Sequence, residues 1–554
     1  MKKTWNLYPQ APTEFFGTPG IPNVISQILY NRNIRTQKEI AFVLSGHVPR
    51  LHDPQDLPDM GKAIARLCKA IDAGETIGVF GDFDVDGVAA TALLVSGLEK
   101  LGAEVAPYIP HRIAEGHGIN EEAVHTLKRF GVSTLVTVDC GISSHREVAL
   151  AMDLGMDVII TDHHVPQTIL PSALATIDPK ISNSDYPFEE LTGAGLALKL
   201  VQGLYQQLGK KLPGHLFALA ALGTVADLAP LQGENRSIVK IGIEELKITQ
   251  NVGLNALYRR ARLRPSDINS ESIAFVLAPR LNASGRIQHA ISSYRLLASQ
   301  SSENAETLAE DIEKFNSERK SASEAAFETS LSKINTNDPI LIVSDKSFYP
   351  GISGLVASRL VEQFHKPALV MALEDNIVRA SGRSIPEFNL ISALSDCQDL
   401  FTRFGGHPMA AGFVMDQGHL SALSDRLHMI AGQSLKGIDL QPSLNIDAEI
   451  APSDLMGKAY ENIAALEPFG MGNPNPIFLA KGMKILHATT MGNNKQHLRL
   501  KLSDRKSTWT ALAFRQGLGA VPQTNILDIV YTLASGSWRG ERVVNLKVLD
   551  YRSA

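Results

Sequence analysis

Between Gly74 and Leu231 short apolar runs, TIGVF, VAPYI, STLVTVD and DVIITD, alternate with helical stretches such as TALLVSGLEKLG and HREVALAMDLG. Apolar strands punctuated by helices are how both faces of a sheet become covered, so this region predicts a doubly wound α/β domain with a largely parallel sheet. Ligands bind such sheets beyond the carboxyl ends of the strands. The chemistry of the chain is therefore to be sought where these runs end.

The remainder divides by texture. Residues 234–334 read as mainly helical, and SSENAETLAEDIEKFNSERKSASEAAFETSLSKI, free of Pro and Gly, predicts one long connecting helix. Alternation resumes with ILIVSD, GLVASRLVEQF, PALVMAL and the Gly-rich FGGHPMAAGF, which predicts a second, smaller α/β domain over residues 335–433. HLRLKL, STWTALAF, ILDIVYTL and RVVNLKVLDY then predict a small β-barrel or sandwich over residues 434–554. Residues 74–233 form the first α/β domain in this reading, and residues 1–73 an irregular or helical N-terminal segment. A length of 554 residues fits several domains rather than one core.

Hydrophobic residues at 44% and charged residues at 20% are those of a soluble globular protein. With a formal net charge of -5, a polyanionic partner would have to be met by cations gathered locally. The three cysteines, Cys68, Cys140 and Cys397, lie far apart, which removes a disulfide framework and a structural zinc site and points to the cell interior. MKKTWNLYPQAP has no apolar region behind its lysines, and no apolar run reaches about 18 residues, so neither secretion nor a membrane span is expected.

VFGDFDVDG places Asp82, Asp84 and Asp86 at alternating positions directly after an apolar strand. Carboxylates this crowded repel one another, and a folded chain keeps them together only with cations or many donors. A calcium loop would need Glu at its twelfth position, where Leu93 stands in an apolar helix. Two more strands end alike, Asp139 in LVTVDCG and Asp162, His163 and His164 in VIITDHH, with Asp227 in TVADLAPL as a further candidate. Oxygen ligands with one or two imidazoles suit Mn²⁺ or Mg²⁺. Each piece alone has a plain alternative, a turn, a helix cap or a satisfied polar pair.

GDFDVDG, VTVDCGISS, TDHHVP, GTVADLAPL, APRLNASGR, SGRS and FGGHPMAAG occur in an order that resembles the DHH phosphoesterase superfamily and, within it, the RecJ exonucleases, over roughly residues 79–413. The resemblance implies that Asp84, Asp86, Asp139, His163 and Asp227 are metal ligands, that Asp82 and His164 lie close to the metals or the scissile phosphate, and that Asp162 either joins them in catalysis or orients its neighbours. Two cations about 3.5–4 Å apart can generate a hydroxide and stabilise both oxygens of an in-line displacement. The expected activity is a 5′→3′ exonuclease on single-stranded DNA that releases 5′-mononucleotides in recombination and repair. A cytoplasmic monomer is expected, with a helicase and a single-strand-binding protein as partners.

Arg112, Arg280, Asn282, Arg286, Ser381, Arg383 and His407 stand in polar or Gly-rich segments that suit phosphate binding; the resemblance places Arg112, Arg280, Ser381 and Arg383 at the 5′ end of the strand. In HLRLKL, His497, Arg499 and Lys501 alternate with leucines, so period two turns a basic face outward from an OB-type barrel. With Lys495, Arg515, Trp538, Arg539 and Arg542 nearby, that face suits a single strand. The chain departs from the RecJ pattern at FYPGISG, where Tyr349 and Pro350 replace a His and its neighbour, and at His117, which stands for a Tyr. The competing readings are a DHH phosphoesterase for short oligonucleotides or other small phosphate esters, which needs neither the long helix nor a basic barrel, and a silent nucleic-acid-binding scaffold, which would be expected to have lost acidic ligands.

Overall fold

The computed structural model describes residues 3–16, 20–45, 51–492, 495–516, 524–538 and 541–554; side chains are not described at 535–538, 541 and 542. The chain clusters into two compact units.

The first unit begins with a five-stranded sheet of β1 (Thr76–Gly81), β2 (Glu104–Tyr108), β3 (Val132–Val138), β4 (Asp157–Thr161) and β5 (Ala175–Ile177). All neighbours are parallel, in the order β2-β1-β3-β4-β5. The order reverses between β1 and β3, and such a switch point opens a crevice at the carboxyl ends of those strands. Helix α1 (Val85–Glu99) follows β1, and nearly every residue in it is buried, as expected of a helix apolar all round. It packs on α4 (Gly193–Gln207) and α5 (His215–Ala226). On the opposite face α2 (Glu121–Arg129) and α3 (His145–Asp153) bury Val124, Leu127 and Val148 against Phe80, Leu135 and Val158.

Helices that include α6 (Ala278–Ile287) lead to α7 (Ser302–Lys333), the single long connecting helix expected. The second sheet is mixed, in the order β9-β10-β8-β7-β6, where β6 is Leu341–Asp345, β7 Ala368–Glu374, β8 Ile377–Arg383, β9 Phe401–His407 and β10 Ala410–Asp416. Only β6 and β7, joined through α8 (Pro350–Phe364), are parallel. The Gly-rich FGGHPMAAGF is an antiparallel hairpin in which His407 faces Ala410 across Pro408 and Met409.

The second unit contains a closed barrel of β11 (Phe478–Met491), β12 (His497–Ser503), β13 (Thr508–Ala513), β14 (Ile526–Trp538) and β15 (Glu541–Ser553), with β14 pairing back onto β11. Leu498, Leu500 and Leu502 are buried while Arg499 and Lys501 are exposed, as the period-two pattern requires. The N-terminal segment does not stand apart as expected for residues 1–73. Residues 3–45 belong to this unit, with Ile25, Ile28 and Leu29 in the barrel's core and Thr4–Leu7 paired to Ser443–Ile446, whereas residues 51–73 belong to the first unit. Residues 230–240 also cluster with the barrel unit, so the boundary expected at 233/234 does not divide the compact units. The reason is burial: the apolar stripe of Asn23–Asn31 is too short to be stable alone and is covered by the barrel. No helix among the described residues is long and apolar enough to cross a membrane.

Candidate metal centre and phosphate cleft

The acidic residues meet at the switch point. Asp84 caps α1, its Oδ1 accepting the N–H groups of Asp86 (2.9 Å) and Gly87 (3.1 Å). Asp86, in the first turn, turns the other way: Oδ2 accepts from Gly193 N–H at 2.7 Å and Oδ1 from Ala194 N–H at 3.0 Å, at the amino end of α4. That end carries positive partial charge, which suits a buried carboxylate. Asp139 follows β3 at a φ of 63°, a conformation uncommon outside glycine that marks a functional turn.

His163 and His164 follow β4. His163 Nε2 lies 3.0 Å from Asp139 Oδ1 and 4.0 Å from Asp86 Oδ2 and Asp227 Oδ2. Asp227 caps the carboxyl end of α5, where the helix dipole disfavours an anion. Ligand atoms of Asp82, Asp84 and Asp139 form one group within 4.8 Å of one another, those of Asp86, His163 and Asp227 a second, and those of Asp139, His163 and His164 a third. Asp82 thus stands among the potential ligands as well as beside the site.

The electrostatics of these groups ask for positive charge. Burial and then the neighbouring carboxylates push Asp86 and Asp139 well above the usual range. Burial and the charge of Asp84 raise Asp82 to about 8 and Asp227 to about 7. Asp82 Oδ1 is buried without a hydrogen-bond partner. His163 is lowered to about 4, chiefly by burial, and so is neutral, the form that binds metal. The 3.0 Å contact to Asp139 therefore joins two groups driven toward neutrality rather than an ion pair. Hard oxygen donors with a neutral imidazole, three groups linked through Asp139 and His163 and a donorless buried oxygen fit a pair of divalent cations.

Of the two roles expected for Asp162, its hydrogen bonds are those of a residue that orients its neighbours. Oδ2 accepts from Ile142 N–H (2.9 Å), and Oδ1 from His163 N–H (2.8 Å), His164 N–H (3.2 Å) and His164 Nδ1 (2.7 Å). Both oxygens are spent on the chain itself. Although burial acts to raise it, the His164 hydrogen bond and charge and the backbone donors hold it below the usual range. In return, the bond to Asp162 raises His164 to about 9, which leaves a cationic, partly exposed imidazole beside the carboxylates.

Several guanidinium groups converge near this cluster. Arg112 stands 4.7 Å over the Phe83 ring, within the fields of Asp84 and Asp82. Arg286 donates to Gly351 O at 2.9 Å, and burial followed by the charges of Arg112, Arg319 and Arg383 lowers it to about 9. Arg383 is half-buried and donates to Gly382 O at 2.8 Å. Buried cations gathered this way favour an anion between them. Ser381 is half-buried on β8, Asn282 half-buried on α6 and His407 exposed at the end of β9.

Arg280 is not a free cation. Nε donates to Glu313 at 2.6 Å and Nη1 to Val276 O at 2.8 Å, where α6 packs on α7. Tyr349, in place of the His expected in relatives, lies within the field of Arg112, and its hydroxyl reaches Ile287 O at 3.5 Å. His117 Nε2 lies 3.4 Å from Asp82 Oδ2 with its ring edge-on to Phe83 and His164.

Three groups near the centre escape the sequence reading. Asp178 closes β5 with one oxygen buried and unpartnered, and its signal, an acidic residue after ATI, is the one that marks the other strands. Lys180 donates to His163 O at 2.7 Å, and Arg319 joins the guanidinium cluster from α7 with its Nε buried and unpartnered. No local pattern marks either of these two. In the barrel Lys495, Arg499 and Lys501 are exposed, and His497 Nδ1 accepts from Arg515 N–H at 2.9 Å. Arg539 and the side chains of Trp538 and Arg542 lie outside the described residues.

A parallel sheet with carboxylates and a histidine pair at its switch point, joined to a second mixed lobe, defines the DHH phosphoesterases. Residues 76–224 match the DHH family N-terminal domain, residues 337–433 the DHHA1 domain and residues 446–550 the RecJ OB domain. The chain is 36% identical to the single-stranded-DNA-specific exonuclease RecJ of Bacillus subtilis, covering 96% of this chain and 68% of that one, and 34% identical to that of Thermus thermophilus, covering 90% and 71%. The crystal structure of RecJ from Thermus thermophilus in complex with Mn²⁺ superposes with a TM-score of 0.85 at 29% identity over 100% of this chain and 80% of that chain; the Mg²⁺ complex gives 0.79 at 28% over 100% and 79%. The chain belongs to the RecJ family.

Proposed function

We propose that this chain is a hydrolase that degrades single-stranded DNA from its 5′ end to 5′-mononucleotides in recombination and repair, with two divalent cations, Mn²⁺ or Mg²⁺, at the switch-point cluster. The observation that carries the reading is the meeting of Asp82, Asp84, Asp86, Asp139, His163 and Asp227, from three strand ends and a helix end, in overlapping groups of ligand size. The relatives named single-stranded-DNA-specific exonucleases support the substrate, and the Mn²⁺ and Mg²⁺ complexes of the Thermus thermophilus relative support the cations.

When bound, the cations supply Lewis acidity and lower the pKa of a coordinated water. The chain supplies the rest. Asp84, Asp86, Asp139, His163 and Asp227 hold the cations, with Asp82 beside them. His164, kept cationic by Asp162, donates to a phosphate oxygen as negative charge develops there. Arg112, Arg286 and Arg383, with Ser381, Asn282 and His407 near them, hold the strand's phosphates; Arg280 acts in this reading through the packing of α6 on α7. Lys495, His497, Arg499 and Lys501 give the barrel a face for the single strand, in keeping with an OB-type fold. A cytoplasmic monomer working with a helicase and a single-strand-binding protein completes the reading.

Purified Asp139→Ala and His163→Ala are expected to lose at least about a hundredfold in turnover with unchanged circular dichroism, since even residues behind the ligands cost tenfold to a hundredfold. The assay compares 5′- and 3′-labelled single-stranded and duplex DNA in Mn²⁺. Wild-type-like rates in either folded variant would overturn the assignment, and preferred attack at a 3′ end would overturn the polarity.

A further inference from the structure

Residues 109–118 connect β2 to the turn before α2 and carry Arg112 and His117, yet they form neither strand nor helix. Ordering each such residue costs about 1–2 kcal/mol of conformational entropy, so the segment needs an anchor. Glu115 is that anchor. Oε1 accepts the Tyr108 hydroxyl at 2.7 Å and Asn120 Nδ2 at 3.1 Å, while Oε2 accepts the backbone N–H of His111 at 2.5 Å.

Each donor is itself fixed. Tyr108 ends β2 and stacks on Phe80 of β1 at 5.5 Å, and Asn120 caps α2 by accepting from Ala123 N–H. His111 O accepts from Glu115 N–H and Gly116 N–H, its Nδ1 accepts from Ile113 and Ala114 N–H, and its ring meets His289 edge-on at 5.4 Å. One carboxylate thus ties the segment to the strand before it, to the helix after it and to its own turn. Arg112 and His117 lie on either side of this knot, Arg112 over Phe83 and His117 against Asp82.

We infer that Glu115 is a positioning residue of the reaction: through Tyr108, His111 and Asn120 it holds Arg112 and His117 at the mouth of the carboxylate cluster and so sets how tightly the terminal phosphate is gripped. This rests on the reading of the cluster as the hydrolytic centre. A carboxylate suits the place because three donors converge on its two oxygens, whereas Gln would turn an N–H₂ group toward one of them.

The test uses the full chain in Mn²⁺ with 5′-phosphorylated and 5′-hydroxyl single strands. Glu115→Gln is expected to raise KM for the phosphorylated strand about tenfold, with kcat changed less than about threefold, and to narrow the preference between the two ends, the size of effect outer residues have on a site. Tyr108→Phe, which keeps the ring stack and removes one donor, should shift KM the same way by less. In the Arg112→Ala background Glu115→Gln should have a clearly smaller effect than in the wild-type chain, the part that runs through His117, and Mn²⁺ affinity by calorimetry should stay at the wild-type value. A KM and end preference unchanged in folded Glu115→Gln, additive effects with Arg112→Ala, or lost Mn²⁺ affinity would each overturn the positioning role. An inactive wild-type chain would instead end the nuclease reading itself.

Discussion

At the amino end of α4, a Cβ on Gly193 would lie 2.4 Å from the Asp139 Cβ, closer than real side chains come. Helix and carboxylate can share this place only because the residue is glycine, and that lets the helix's first N–H groups reach Asp86. Gly193→Ala forces Asp139 aside; we expect a loss of about 1–3 kcal/mol in stability by overpacking and a weaker Mn²⁺ affinity, read by denaturation and calorimetry. Native-like metal binding in that variant would show that Asp139 has slack. His215 offers a separate test. Burial, with Lys100 adding to it, lowers His215 from 6.5 to about 4, while Ser96 Oγ lies 3.0 Å from its Nε2. A base with a depressed folded pKa contributes stability that is present above the unfolded value and lost as pH falls through the folded one. Melting temperature should therefore fall between pH 6.5 and about 4, and His215→Gln should flatten that part of the curve.

At the scale of elements, α7 is legible in the sequence because an uninterrupted run without Pro or Gly has one natural conformation, and the structure starts and ends it at Ser302 and Lys333. Which side chains it meets is not legible. The neighbours of Arg280 in APRLNASGR suggest a phosphate contact, but the packing of α6 on α7 commits it to Glu313. With the Arg280 side chain only 13% exposed, removal of Glu313 leaves a charge short of a partner. Glu313→Ala should cost about 1–3 kcal/mol, and Arg280→Met should recover part of that loss in the double variant. Equal stability of Glu313→Ala and wild type in urea would show that Arg280 does not depend on Glu313 as its partner. The Gly-rich hairpin of β9 and β10 is visible as glycine and histidine in sequence, although its antiparallel pairing is a property of the sheet around it.

At the scale of the whole molecule, the two compact units offer a polyanion different kinds of surface. The barrel's exposed Arg499 and Lys501 alternate with buried leucines on β12 and lie opposite Thr489 and His487 of β11. Such a face binds by counterion release, so Arg499→Ala with Lys501→Ala should weaken single-strand binding and lower the slope of log affinity against log salt by about 0.7 for each phosphate no longer neutralised. Turnover at saturating DNA should change little. An unaltered salt slope would make this an ordinary solvated face.

Residue order alone determined the α/β rhythm, the helix of α7, the in-and-out alternation of β12 and the acidic strand ends, because each depends on neighbours a few positions apart. The strand-end rule reached Asp139, Asp162 and His163 through the same local signal. Tertiary structure decided that β1 and β3 are neighbours, that Asp86 turns to α4 while Asp162 turns back on the chain, and that residues 3–45 complete the core of a barrel hundreds of residues away. These outcomes depend on which surfaces bury each other, and burial joins residues that no local period connects.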